Sequence, residues 1–247
     1  MTGGFALAAS WVWGGEHEVI AFCEIDKFCQ KVLKKHWPNV PIIEDVREVD
    51  GKAFGPIDLL TGGFPCQPFS CAGSRKGESD SRYLWPEMFR IISEVMPSWI
   101  IAENVPGILT LKRGVVFESV CTSLEDKGYE VQPIIVPACA KNKQHARDRV
   151  WIIAHATGNG RIGRENTPEG FLERQITEET IESGDRVSGE TWGDFGGSWV
   201  RAASELCRMD DGLSDGFYED RIRALGNAIV PQVAAQIMKA IKQAGSR

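Results

Sequence analysis

The stretch Asp58-Leu59-Leu60-Thr61-Gly62-Gly63-Phe64-Pro65-Cys66-Gln67-Pro68-Phe69-Ser70 decides how the chain is read. Its first residues have the character of a buried strand's end. Two glycines then let the backbone turn closely, and a cysteine follows between two prolines. One thiol is thereby expected at the carboxyl edge of a sheet. On these residues alone Cys66 has two readings: a small buried hydrophobe, as free cysteines commonly are, or a nucleophile.

Working outward, the chain of 247 residues is long enough to bury a substantial core in one large domain, or in one domain with a small appendage. Hydrophobic residues make up 43% and charged residues 25%, ordinary for a globular protein. No apolar run has the length of a membrane span, and the start lacks a basic segment followed by an apolar run and cleavage site. Cysteines at 23, 29, 66, 71, 121, 139 and 207 form no paired framework, which points to a reduced compartment. Cys66 and Cys71 lack a second ligand pair, so no metal is expected. The formal charge of −6 argues against a generally basic surface and leaves room for a local positive cleft.

Periodicity places the elements. Ala6 to Trp13 follows a glycine turn and reads as a first helix, and Glu18 to Asp26 as a strand ending in carboxylates. Lys27 to His36 fits an amphipathic helix, Val40 to Val46 a short strand and loop, and Ile57 to Thr61 the strand that delivers Cys66. Gln67 to Asp80, rich in Gly, Ser and charge, reads as a loop before a helix at Tyr83 to Val95. Trp99 to Val105 approaches its polar exit through a continuous apolar run, as a strand covered on both faces does. Val115 to Lys127 is a helix, Tyr129 to Pro137 and Arg149 to Ala154 are strands, and Val233 to Ile241 is a packing helix. Thr157 to about Trp199 is glycine-rich, charged and poor in aliphatic runs.

The run Gly63 to Ser70 resembles the catalytic motif of the cytosine-5 DNA methyltransferases. Glu103-Asn104-Val105, His145-Ala146-Arg147-Asp148-Arg149 and Gly226-Asn227-Ala228-Ile229-Val230 follow in that family's order, with His145 where the family often has glutamine. The resemblance implies an α/β, Rossmann-like S-adenosylmethionine-dependent methyltransferase fold, with a mostly parallel sheet and helices on both faces. It lacks its first strand here, since only Met1 and Thr2 precede the turn at Gly3. It also implies a catalytic and cofactor-binding domain over 1–156, a small variable target-recognition segment over 157–205, and a return to the catalytic domain over 206–247.

The same resemblance distributes roles. Cys66 is the implied nucleophile, Glu103 the acid or hydrogen-bond donor at the base, and Arg149, supported by Arg147, the holder of ring oxygen and charge. For S-adenosylmethionine it implies Gly3, Gly4 and Phe5 as the tail of the glycine-rich motif, and Glu24 on the ribose with Ile25 lining the adenine pocket. Asp45 and Val46 fall at the adenine, Asn227 and Ile229 near the methionine end. Ser70, Ser74, Arg75 and Lys76 would contact DNA. The implied partner is double-stranded DNA containing a target cytosine, with no membrane, no metal and no required protein partner. A monomer in the cytoplasm of a bacterial or phage-infected cell, within a restriction-modification setting, is expected. Two alternatives are an inactive methyltransferase-like DNA-binding protein, motivated by the absent strand, and an RNA cytosine-5 methyltransferase.

Overall fold

In the computed structural model, residues 2–65, 83–138, 147–157 and 228–245 are described. Helix α1 (Gly4–Trp13) starts at Gly3, whose φ of 81° is the left-handed conformation that glycine adopts without strain. A Cβ at Gly3 would lie 2.5 Å from the Trp37 ring, so the close approach also requires glycine. Helix α2 (Lys27–His36) is capped by the Asp26 carboxylate, which accepts from the Phe28 and Cys29 amides at 2.8 and 3.0 Å. Lys34, Lys35 and His36 occupy its last turn, complementing the helix dipole.

Around α2, strands β1 (Phe22–Cys23) and β2 (Ile42–Ile43) pair in parallel, Phe22 opposite Ile42 and Cys23 opposite Ile43. This strand is shorter than the span from Glu18 to Asp26 read in the sequence, because β2 offers it only two ladder positions. The second sheet has the order β3-β4-β6-β5. Strands β3 (Leu59–Gly63) and β4 (Trp99–Asn104) run parallel through helix α3 (Trp85–Val95), while β6 (Arg147–Ala156) is antiparallel to both β4 and β5 (Tyr129–Ala138). Among the described residues no strand joins β1 to β3, so the two sheets remain separate.

Alternation along β4 and β6 builds a core on both faces. Trp99, Ile101, Trp151 and Ile153 pack with Phe5, Ala8 and Ala9 of α1 and with Ala234, Ile237 and Met238 of helix α5 (Pro231–Gly245). On the other face Ile100, Ala102, Ile152 and Ala154 meet Met88 and Ile92 of α3 and Val116, Val120 and Leu124 of helix α4 (Val115–Glu125). The buried Tyr129 hydroxyl donates to the Pro97 carbonyl at 2.9 Å, and burial pushes its pKa up to about 12. No helix of the described residues is long and apolar enough to cross a membrane. The proposed segment 157–205 lies outside the described residues except for Thr157.

Polar stitching ties the segment after β2 to α3. Arg90 donates to the carbonyls of Val49 at 2.8 Å and Val46 at 3.0 Å, and the Glu94 carboxylate accepts from the Gly51 amide at 2.9 Å. The Gly51 amide, and after it Arg90, holds the Glu94 carboxyl below its ordinary pKa. A depressed carboxyl pKa contributes stability that is fully present above the unfolded value and lost as pH falls through the folded one. Hydrogen exchange of the Gly51 amide, corrected for intrinsic rates, is therefore expected to lose protection only below the ordinary carboxylate range. Unchanged protection down to full carboxyl protonation would contradict this.

Candidate active site

The geometry of the site follows from strand register. Gly63 stands opposite Glu103 in the parallel β3–β4 pair, and Glu103 stands opposite Trp151 in the antiparallel β4–β6 pair. Arg149, two residues from Trp151, points to the same face and is a diagonal neighbour of Glu103. Its Nε lies 2.7 Å from Glu103 Oε1, with the two side chains only 18% and 12% exposed. The Arg149 Nη1 also donates to the Asp148 carbonyl at 2.8 Å, which fixes the orientation of the guanidinium.

Asn104, the next residue of β4, is 4% exposed. Its Nδ2 donates to the Phe64 carbonyl at 2.9 Å and its Oδ1 accepts from the Val105 amide at 2.9 Å. One amide side chain thus joins the exit of β3, immediately before Pro65-Cys66, to the exit of β4. Sequence reasoning placed Asn104 in a motif without giving it a task. The available signal was its amide at the end of an apolar strand, where a buried side chain must find hydrogen bonds.

A second group of residues gathers at the amino terminus. A Cβ on Gly4 would lie 2.7 Å from Ile229 Cγ1, so Gly4 and Ile229 approach closely, and Phe5 and Ile229 belong to one buried cluster. Phe5 meets Trp151 edge to face with ring centroids 6.0 Å apart. Val136, Arg149, Trp151, Ile229 and Val233 line a small cleft.

At the exits of β1 and β2, Glu24 and Asp45 are brought alongside by the parallel pairing, with the Glu24 amide donating to the Ile43 carbonyl at 3.0 Å. Glu24 Oε1 accepts from the Asp26 amide at 2.8 Å, and Gln30 Nε2 donates to the Glu24 carbonyl at 2.6 Å. The Asp45 carboxylate accepts from the Arg47 amide at 2.9 Å and pairs with its guanidinium at 3.1 Å. The Arg47 amide is the main cause that lowers the Asp45 pKa, so this carboxylate acts as an acceptor. Ile25 is 70% exposed, and Lys27 pairs with Glu44 beside it.

This donor set fits S-adenosylmethionine. Two strand-end carboxylates are acceptors of the kind that ribose hydroxyl and adenine amino groups would need, Ile25 offers an uncovered apolar surface, and the first turn of α1 has no side-chain cap over its amides.

Cys66, Ser70, Ser74, Arg75, Lys76 and Asn227 lie outside the described residues, as does the side chain of Arg147. Of the described cysteines, Cys29 is buried, burial pushes the Cys121 thiol up to about 11, and burial also raises that of Cys23, with Asp45 adding to it. None of these shifts favours a thiolate. Among the described residues no group of three metal-ligating side chains occurs.

Residues 2–191 match the family described as C-5 cytosine-specific DNA methylase. The type II methyltransferase M1.ScrFI of Lactococcus lactis subsp. cremoris is 37% identical over 131 residues, covering 53% of this chain and 33% of that protein. M.PspPI of Psychrobacter sp. is 39% identical over 138 residues, covering 54% and 33%. The chain thus aligns with about a third of the length of these relatives. The structure of the S. pombe Dnmt2 methyltransferase superposes with a TM-score of 0.62 at 16% identity, covering 98% of this chain and 96% of that one, a likeness of fold.

Asn104→Ala is expected to leave the Phe64 carbonyl and the Val105 amide without their partner and to lower unfolding free energy by about 1–3 kcal/mol. Urea denaturation measures this, and a loss below about 0.5 kcal/mol, the scale of an ordinary surface substitution, would contradict the joint between the two strand exits.

Proposed function

The chain belongs to the C-5 cytosine-specific DNA methylase family, and from that premise we propose that it transfers a methyl group from S-adenosylmethionine to carbon 5 of cytosine in double-stranded DNA. The observation that carries this reading is the register that aligns the β3 exit, Glu103 and Arg149 side by side.

Cytosine carbon 5 is a poor nucleophile. Cys66 follows the anchored β3 exit by two residues, and its thiolate adds to ring carbon 6, forming a carbon–sulfur bond and placing electron density on carbon 5. Glu103 donates a proton or hydrogen bond to ring nitrogen 3, where negative charge develops. Arg149 holds the ring oxygen, with Arg147 beside it on β6. In the free protein Glu103 and Arg149 hold each other in place. A base entering between the strand exits exchanges part of that pairing for its own contacts. After methyl transfer, a base in the site removes the carbon 5 proton, the carbon–sulfur bond breaks to release the Cys66 thiolate, and nitrogen 3 returns to Glu103 any proton it took, which restores the aromatic ring.

S-adenosylmethionine supplies the electrophilic methyl group when bound. Glu24 takes its ribose hydroxyls, Ile25 and Val46 its adenine faces and Asp45 the adenine amino group. Gly3, Gly4, Phe5, Asn227 and Ile229 border its methionine end. The target carbon is inaccessible in stacked DNA, so the cytosine leaves the helix to react. Ser70, Ser74, Arg75 and Lys76 contact the phosphate backbone, and segment 157–205 reads the bases between the catalytic part at 1–156 and its return at 206–247. A monomer acting in the cytoplasm of a bacterial or phage-infected cell, in a restriction-modification setting, completes the reading.

The test is transfer of labelled methyl from S-adenosylmethionine to cytosine-containing duplexes, with matched RNA as competitor. Wild type is expected to label DNA, Cys66→Ser to label none, and Glu103→Gln to slow transfer by about 10²–10⁴-fold, the range for loss of a positioned acid. Folded wild-type protein that labels only RNA, or neither, would overturn the proposal.

A further inference from the structure

The two sheets share no strand pairing among the described residues, yet the proposed cofactor residues Asp45 and Val46 lie on the β2 side while Glu103 lies on β4. Some other contact must set their relative position. The side chain that reaches across is Arg90 on α3, the helix connecting β3 to β4.

The hydrogen bonds of Arg90 serve one arrangement. Its Nη2 donates to the Val46 carbonyl at 3.0 Å and its Nη1 to the Val49 carbonyl at 2.8 Å. Its Nε donates to Glu87 at 2.9 Å, and Nη1 also meets both oxygens of Glu94 at 3.1 and 3.0 Å. Glu94 in turn accepts from the Gly51 amide. A Cβ on Gly51 would lie 2.8 Å from Glu94 Cβ and 3.0 Å from Val95 Cγ2, so the chain here runs against the helix with no room for a side chain. Val49 between them is 6% exposed.

We infer that Arg90, braced by Glu94, is a positioning residue that sets the segment Asp45 to Gly51 against α3 and so fixes Asp45 and Val46 for adenosine binding. This rests on the proposed use of S-adenosylmethionine. Two planar donors aimed at two carbonyls require a guanidinium. An ammonium keeps the charge and loses the fork. The site is thereby assembled from two sheets through one helix, and nucleoside affinity depends on a side chain that touches no ligand.

The experiment measures binding of S-adenosylhomocysteine by calorimetry to the full chain as wild type, Arg90→Lys and Gly51→Ala, beside thermal unfolding and hydrogen exchange of residues 46–51. Arg90→Lys is expected to weaken binding by about tenfold, the scale of losing one fixed hydrogen-bonding geometry. Exchange in 46–51 is expected to accelerate while β4 and β6 stay protected, and KM for S-adenosylmethionine to rise more than kcat falls. Gly51→Ala, which displaces the same segment from the helix side, is expected to act in the same direction and decides the matter if Arg90→Lys fails to fold. Binding within twofold of wild type for a folded variant overturns the inference, as does a loss of protection spread evenly over the chain. Wild type that binds no S-adenosylhomocysteine overturns the cofactor reading itself, and this inference with it.

Discussion

The site depends on the register of β4 with its two neighbours. A parallel partner on one side puts the glycine exit of β3 beside Glu103, and an antiparallel partner on the other puts Arg149 diagonally across from it. A shift of one residue in either ladder would turn Arg149 or Glu103 to the opposite face. That shift is opposed by the core, because Ile100, Ile101, Ala102, Ile152 and Ile153 are all nearly inaccessible and alternate between two different helix layers. Hydrophobic packing thereby specifies the geometry of two polar side chains, Glu103 and Arg149. Asn104 adds a directional lock by joining the two strand exits through a single amide.

Burial governs the energetics of this arrangement. Glu103 and Arg149 are mostly removed from water, where an unpaired charge is costly, so each requires the other until a ligand replaces part of the pairing. This orients both side chains in the free protein, and under the proposed function it would offer an entering base two directional contacts. The half of the molecule that carries Glu24 and Asp45 is built differently. Its strands have two residues each, its carboxylates are held by local amides, and among the described residues Arg90 and Glu94 form a polar connection from it to α3.

Much of this was legible in the chain itself. The unbroken apolar run into Glu103 announced a strand buried on both faces, and α2 has the bounds that its amphipathic pattern specifies, while the capping role of Asp26 emerged only from the structure. The pairing of Arg149 with Glu103 was not legible, because it arises from a register between strands more than 40 residues apart. Nor were the long-range bonds of Asn104 and Arg90, whose distant partners are backbone carbonyls that carry no residue-specific signal. The length of β1 was over-read because an apolar run ending in acids does not reveal how short its neighbour is.

The central claim is that Cys66 attacks the cytosine ring, and a duplex carrying 5-fluorocytosine tests it most directly. Fluorine at carbon 5 leaves no proton to remove after methyl transfer, so the adduct cannot resolve. With S-adenosylmethionine present, the account predicts a stable protein–DNA species whose mass includes one added methyl group and whose peptide map places the bond at Cys66. A folded protein that binds this duplex and S-adenosylmethionine yet forms no adduct, or forms one at another cysteine, would contradict it.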